Sequence, residues 1–289
     1  MINLRPYQTD AIAQMRAHFA KQVTRLILCI ATGGGKTYTF ACLSKMTLDK
    51  NSAARVGIFT HRTELLTQAG GALTSFGIDW SAIDPKSKQN HHARCYVGKV
   101  KTFINRVKKY PHLLDLDVVI IDEAHRGEFK ALLPLLKPAT RVIGVTATPI
   151  SSSKKDPLSR YYQEIVVPVT ISDLIEDGFL MPAETYAAKT DTSALKMEMG
   201  EYTEKSQMDV FAKREVYDGV INKYRELANG KKAVCYNVNI EHSIEVCRRF
   251  LEVGIEAEHV DGNTPDDQRD AIFKRLRSGE TKVLCNVDV

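Results

Sequence analysis

Short, uninterrupted apolar runs punctuate this chain. Residues 26–30 (Leu-Ile-Leu-Cys-Ile) and 118–121 (Val-Val-Ile-Ile) carry no polar side chain, and 142–145 (Val-Ile-Gly-Val) follow suit. Runs too short for a helix and without alternation predict strands buried on both faces, as in a parallel sheet. Between them the apolar spacing becomes helical. Ala11, Ile12, Met15 and Phe19 recur behind Pro6, which suits a first helical turn. Helical segments are also predicted from Lys36 to about Lys50, from Val100 onward, and over 171–180, where Gly178 ends the last. Residues 55–60 and 95–97 read as further strands. Strand–helix alternation resumes after Val216, with strands at 232–236, 255–260 and 282–286 and helices at 240–253 and 265–278.

That rhythm predicts an α/β fold with parallel sheets. Residues 151–157 (Ser-Ser-Ser-Lys-Lys-Asp-Pro) are the best linker candidate. The expected division is a first domain over 1–150, a linker and start of a second over 151–215, and a partial second domain over 216–289. Residues 79–93 and 189–210 are polar and without a clear period, so they are expected to be irregular.

The first apolar run leads into Ala31-Thr32-Gly33-Gly34-Gly35-Lys36-Thr37. Glycines let backbone N–H groups turn inward without a Cβ clash, and the helix start adds its positive end. Lys36 is placed to reach the β/γ-phosphates of a nucleotide, and the Thr37 hydroxyl to ligate Mg²⁺. The usual first glycine of the eight-residue pattern is here Ile30. The bland alternative is an ordinary glycine-rich turn.

The second run ends in Asp122-Glu123-Ala124-His125. Adjacent acids after a buried strand are costly unless a metal or donors satisfy them. Asp122 is placed to hold Mg²⁺, and Glu123 to polarise an attacking water. The third run ends in Thr146-Ala147-Thr148, whose hydroxyls are within chemical reach of His125 or cap a turn. Near the N-terminus, a Gln8 exposed at a helix start would read the adenine edge through its amide.

Charge adds a partner. Of 289 residues, 40 are Lys or Arg and 35 Asp or Glu, a net +5, yet residues 1–150 hold 21 bases against 10 acids. Residues 85–114 contain Lys86, Lys88, Arg94, Lys99, Lys101, Arg106, Lys108 and Lys109 and no acid. This favours a polyanion such as nucleic acid over a merely solvated helix face. No apolar run is long enough to span a membrane, and the N-terminus lacks a signal-peptide core. Six scattered cysteines suit reduced, cytoplasmic thiols. A zinc site at His91, His92 and Cys95 would have three close ligands and no obvious fourth.

Together these motifs resemble a superfamily 2 helicase of the DEAH/DExH type, similar to phage and bacterial restriction-enzyme motor subunits. Residues 4–8 look like its adenine-reading motif, with Arg5 and Gln8 at the base. Residues 31–37 are similar to motif I, with Thr32, Gly33, Gly34, Gly35, Lys36 and Thr37 around ATP. Thr60 and Arg62 resemble motif Ia, and Lys101 and Thr102 motif Ib, all strand contacts. Asp122 to His125 spell DEAH, and Thr146 and Thr148 resemble motif III, which with His125 couples ATP to strand. Asn237 belongs to a motif IV-like stretch and is a further strand contact. Asp261-Gly262-Asn263-Thr264 with Arg269 fits the next such segment.

The resemblance implies two RecA-like P-loop domains, ATP and Mg²⁺ in the cleft between them, and nucleic acid, DNA rather than RNA, across both. Motifs V and VI, the latter with an arginine finger worth ~10³–10⁵ in rate in comparable transfers, would follow Val289. The second domain is therefore expected to be incomplete, its last strand near an unpaired edge. ATP binding with weak hydrolysis and no unwinding is expected of this chain alone. The competing expectations are a motor that moves on duplex without separating it, in a restriction or repair complex, and an ATP-gated clamp without turnover.

Overall fold

In the computed structural model, residues 4–60, 63–85, 90, 92–151, 155–187, 190–198 and 201–287 are described, with the side chains of 63–65, 128 and 214 left aside. The chain forms two units, Met1–Glu184 and Thr185–Val289.

The first unit runs α1 (Pro6–Ala20), β1 (Arg25–Cys29), α2 (Lys36–Lys50), β2 (Val56–Thr60), α3 (Thr63–Ser75), β3 (Ser81–Ile83), β4 (Cys95–Lys99), α4 (Val100–Lys109), β5 (Val118–Asp122), β6 (Arg141–Thr146), β7 (Glu164–Val166) and α5 (Ile171–Glu176). Its strands make one parallel sheet in the order β3-β4-β2-β5-β6-β1-β7. Alternate residues of the apolar runs serve opposite faces. Leu26, Leu28, Ile58, Ile120 and Val145 pack with α1, α2 and α3, whereas Ile27, Phe59, Val119, Ile121 and Val142 pack with α4 and the turns after β5. Both faces are covered, which is why the runs show no polar alternation.

β6 lies between β5 and β1, with Cys29 opposite Thr146 and Asp122 opposite Val145. The carboxyl ends of the three strands, where the sequence places its glycine loop, acid pair and hydroxyls, are therefore neighbours. Ligands of open α/β sheets bind at such ends.

The second unit runs β8 (Met197–Glu198), β9 (Glu201–Tyr202), α6 (Glu204–Phe211), α7 (Arg214–Ala228), β10 (Ala233–Tyr236), α8 (Ile240–Glu252), β11 (Ala257–Val260), α9 (Asp266–Ser278) and β12 (Val283–Asn286). β10, β12 and β11 form a smaller parallel sheet in that order. Among the described residues no helix is long and apolar enough to cross a membrane.

Four expectations are corrected. The first unit extends to Glu184 instead of ending at 150, because β7 pairs with β1 and Leu174 of α5 joins the core beneath it. The linker candidate therefore falls inside that unit, with residues 152–154 outside the described ones. Within 79–93, Ser81–Ile83 is an edge strand held by β4; three residues are too few to show a period. Within 189–210, β8 and β9 form a small hairpin and α6 follows, its start capped by the Thr203 hydroxyl accepting from the Ser206 N–H. Finally, β12 is the central strand of its sheet. Returning after two βα units, it pairs with β10 on one side and β11 on the other, and its residues are buried. β10 is the exposed edge, with Tyr236 80% exposed.

Candidate functional site

The loop after β1 is built on two glycines at left-handed backbone angles, Gly33 (φ +82°) and Gly35 (φ +81°). A Cβ on Gly34 would lie 2.6 Å from Ile30 Cγ2, and one on Gly35 2.5 Å from Gln8 Nε2. The loop is thus a cradle that a side chain would fill. Ile30, at the place of the usual first glycine, is fully buried beneath Gly34, and its carbonyl accepts from Lys36 Nζ (3.3 Å). Lys36 and Thr37 open α2 half-exposed, while Thr32 and Gly33 are exposed.

The start of α1 packs behind this loop. Tyr7 Oη donates to Gly34 O (2.7 Å), and Gln8 Nε2 donates to Gly35 O (3.2 Å). Gln8 Oε1 accepts from the Arg5 N–H (2.9 Å), and the Arg5 guanidinium lies 4.3 Å over the Phe179 ring. Gln8 is therefore 4% exposed, not the exposed amide expected from its position at a helix start. Tertiary packing against the loop withdraws it.

Asp122 ends β5 half-buried. Burial first, and the neighbouring Glu123 carboxylate second, raise its pKa from the usual carboxylate value, and Lys36 offsets part of that. Glu123 has φ +52°, a left-handed angle for a non-glycine residue, and its N–H donates to Asp122 Oδ1 (3.0 Å). Such backbone strain collects at functional sites. The turn packs closely on β6: the Ala124 N–H donates to Val145 O (3.1 Å), and a Cβ on Gly144 would meet Ala124 Cβ at 2.8 Å.

His125 Nδ1 lies 2.8 Å from Thr146 Oγ1 and 3.3 Å from Glu123 Oε2. The Thr146 hydroxyl donates to Thr148 O (3.3 Å) and accepts from the Thr148 N–H (3.0 Å). A carboxylate only accepts, and the threonine proton is used on Thr148 O, so the network assigns a proton to Nδ1. His125, Thr146 and Thr148 thus form one chain of contacts beside the acid pair.

The donor set fits ATP and Mg²⁺: a glycine cradle with a lysine, the Thr37 hydroxyl on the first turn of α2 and the Asp122 carboxylate at the end of β5, the hard oxygen ligands that Mg²⁺ takes. Sequence reasoning missed Tyr7 and Phe179. Tyr7 had a signal, an aromatic hydroxyl on the first helical turn; Phe179 had none.

The expected strand contacts are scattered. Thr60 ends β2 but is 2% exposed, and its Oγ1 has no hydrogen-bond partner among the described residues. Arg62 lies outside the described residues. Lys101 is exposed and Thr102 half-buried on the first turn of α4. Asn237, in the second unit, uses its amide on Cys235 O (2.9 Å), Ser243 Oγ (3.2 Å) and Asn286 O (3.3 Å), tying β10 to α8 and β12. In the next loop Asp261 accepts from the Asn263 N–H (2.8 Å) and pairs with His259 Nε2 (3.1 Å), and Arg269 donates to Asp261 O (3.3 Å). Cys95 is fully buried in β4, its thiol pushed up to about 12, so it packs as core; His91 lies outside the described residues.

Residues 1–151 match the family described as type III restriction enzyme, res subunit. The chain is similar to a 51.5 kDa protein of a Lactococcus phage, 31% identical over 267 residues covering 89% of this chain and 53% of that protein. It is also similar to the type I restriction enzyme EcoAI endonuclease subunit of Escherichia coli, 29% identical over 204 residues covering 65% of this chain and 24% of that one. The Pyrococcus furiosus Hef helicase domain shares the fold, with a TM-score of 0.63 at 14% identity over 98% of this chain and 85% of that domain. The chain spans about half the length of the phage relative.

Proposed function

Because the chain belongs to the type III restriction enzyme res subunit family, a helicase-like superfamily 2 family of ATP-dependent nucleic-acid motors, we propose that it binds ATP and Mg²⁺ at this site and couples hydrolysis to movement on DNA. One observation carries the reading. The glycine cradle with Lys36, the Asp122–Glu123 pair and the His125–Thr146 contact meet at the neighbouring carboxyl ends of β1, β5 and β6.

In this reading the loop N–H groups and Lys36 hold the β/γ-phosphates. Thr37 and Asp122 hold Mg²⁺, which supplies charge neutralisation at the phosphates. Glu123 orients the attacking water and takes its proton. Arg5 serves the base side, and Gln8, bonded to both Arg5 and Gly35, fixes the phosphate loop beside it. His125, Thr146 and Thr148 pass the state of the nucleotide site along the sheet edge. Lys101 and Thr102, with Arg62, hold the strand in the first unit, with Thr60 buried at the end of β2, and Asn237 orders the end of β10 in the second. The two units then act as RecA-like domains of one motor.

DNA in preference to RNA is supported by the restriction family. That family also favours, as a second reading, a motor that moves on duplex without separating it. Turnover also reads whether a guanidinium of this sequence reaches the γ-phosphate, a contact that contributes ~10³–10⁵ in rate in comparable transfers.

The test is ATP hydrolysis with and without single- and double-stranded DNA and RNA, alongside ATP binding by titration calorimetry. DNA-stimulated turnover lost in Glu123→Gln supports a motor and names its track. ATP binding lost in Lys36→Ala, with no turnover on any nucleic acid, leaves a nucleotide-gated clamp. No ATP binding at all overturns the proposal.

A further inference from the structure

The Tyr7 hydroxyl is the least expected partner of the phosphate loop. Its ring is buried, set edge-on to Phe179 at 5.8 Å between centroids. Its oxygen accepts from Arg5 Nη1 (2.9 Å) and spends its single proton on Gly34 O (2.7 Å). Gly34 is flanked by Gly33 and Gly35, both at φ near +80°. Glycine crosses backbone basins readily, so nothing in these residues alone chooses which way the peptide between Gly34 and Gly35 faces. That peptide is planar and trans, so its C=O and N–H point in opposite directions. Holding the carbonyl against α1 points the Gly35 N–H the opposite way within that plane, away from the Tyr7 hydroxyl.

We propose that Tyr7 is a positioning residue for the phosphate loop: through Gly34 O it locks the Gly34–Gly35 peptide so that the Gly35 N–H is presented to a bound polyphosphate. The inference rests on the nucleotide reading above and adds that the lock acts on the phosphates, whatever the base. A flipped peptide would instead turn a carbonyl oxygen toward the phosphate oxygens, which repels them. Gly35→Ala shares the geometry but removes the loop's freedom altogether, so the hydroxyl is the cleaner element to test.

The experiment is titration calorimetry of the 289-residue chain and its Tyr7→Phe variant with Mg²⁺ and either ATP or inorganic tripolyphosphate. Phenylalanine keeps the ring packing on Phe179, and thermal melting checks the fold. A buried neutral hydrogen bond supports a loss of about 3- to 10-fold. The expected result is that both ligands weaken by the same factor, leaving their ratio unchanged, while the melting temperature stays near that of the parent. An Arg5→Gln control is expected to shift the ratio, because its effect falls on ATP more than on tripolyphosphate. Loss confined to ATP would place Tyr7 in the base pocket and overturn the inference, as would unchanged affinity for both. A parent chain that binds neither ligand would instead overturn the nucleotide reading, and this inference with it.

Discussion

His125 Nδ1 and Thr146 Oγ1 stand 2.8 Å apart, joining the turn after β5 to the end of β6 directly beside Glu123. Residues from two strand ends share one proton network, so a change at the acid pair is felt at Thr146 and, through it, at the Thr148 backbone.

If that network carries coupling, Thr146→Val keeps ATP binding within about threefold and removes at least about fivefold of the stimulation of hydrolysis by nucleic acid, the lower end of ordinary coupling energies. The measurement is kcat with and without DNA. Equal stimulation in parent and variant would sink the coupling role.

Glu123 combines chemistry with backbone strain. Glu123→Gln is expected to lower kcat by ~10²–10⁴, the usual contribution of a positioned base, with ATP affinity kept. Glu123→Gly loses the same activity but relieves φ +52°, a strain of about 1 kcal/mol or more. The first unit should then melt about 2 °C higher. Differential scanning calorimetry of the two variants separates strain from chemistry, and a lower melting temperature for the glycine variant would refute the strain account.

Gly35→Ala puts a Cβ 2.5 Å from Gln8 Nε2 at φ +81°. The left-handed angle costs an alanine about 1–2 kcal/mol, and the clash pushes Gln8 off the loop. ATP affinity is expected to fall at least about tenfold, with a lower melting temperature. Retained affinity would mean that the cradle is not where phosphate binds.

Asp122 carries a pH signature. Its folded pKa is raised above 3.8, mainly by burial and then by Glu123. The folded state therefore holds the proton more tightly than the unfolded chain. Its contribution to stability is full below the unfolded value and is lost as pH rises through the folded one. Asp122→Asn should thus stabilise the metal-free first unit at pH 7, the gain fading as pH falls toward 3.8. Melting curves of both proteins across that range check the sign, and a variant less stable than its parent at pH 7 would contradict it.

What was legible in the sequence was local. Five apolar residues before three glycines and Lys36-Thr37, and four before Asp122-Glu123, carry their own strand signal. They place their polar residues at strand ends whatever the rest of the chain does. Helices α1 and α2 likewise declare themselves through Pro6 and the Lys36–Lys50 run.

What only the tertiary structure decided depends on partners distant along the chain. That β6 separates β1 from β5 brings Thr146 to His125, and no periodicity states strand order. Gln8 reads as an exposed helix-start amide until Gly35, 27 residues on, takes its donor. Tyr7 reads as an ordinary aromatic until Gly34 O and Phe179 enclose it. His242, on the first turn of α8, is withdrawn to 8% exposure against Tyr217, and that burial lowers its pKa. β12, last in sequence, becomes central because a parallel strand returning over helices can insert between earlier ones. Hydrophobic pattern specifies which face a residue turns to the core; which neighbour it meets there is set by long-range packing, and the chemistry of this site lies in those meetings.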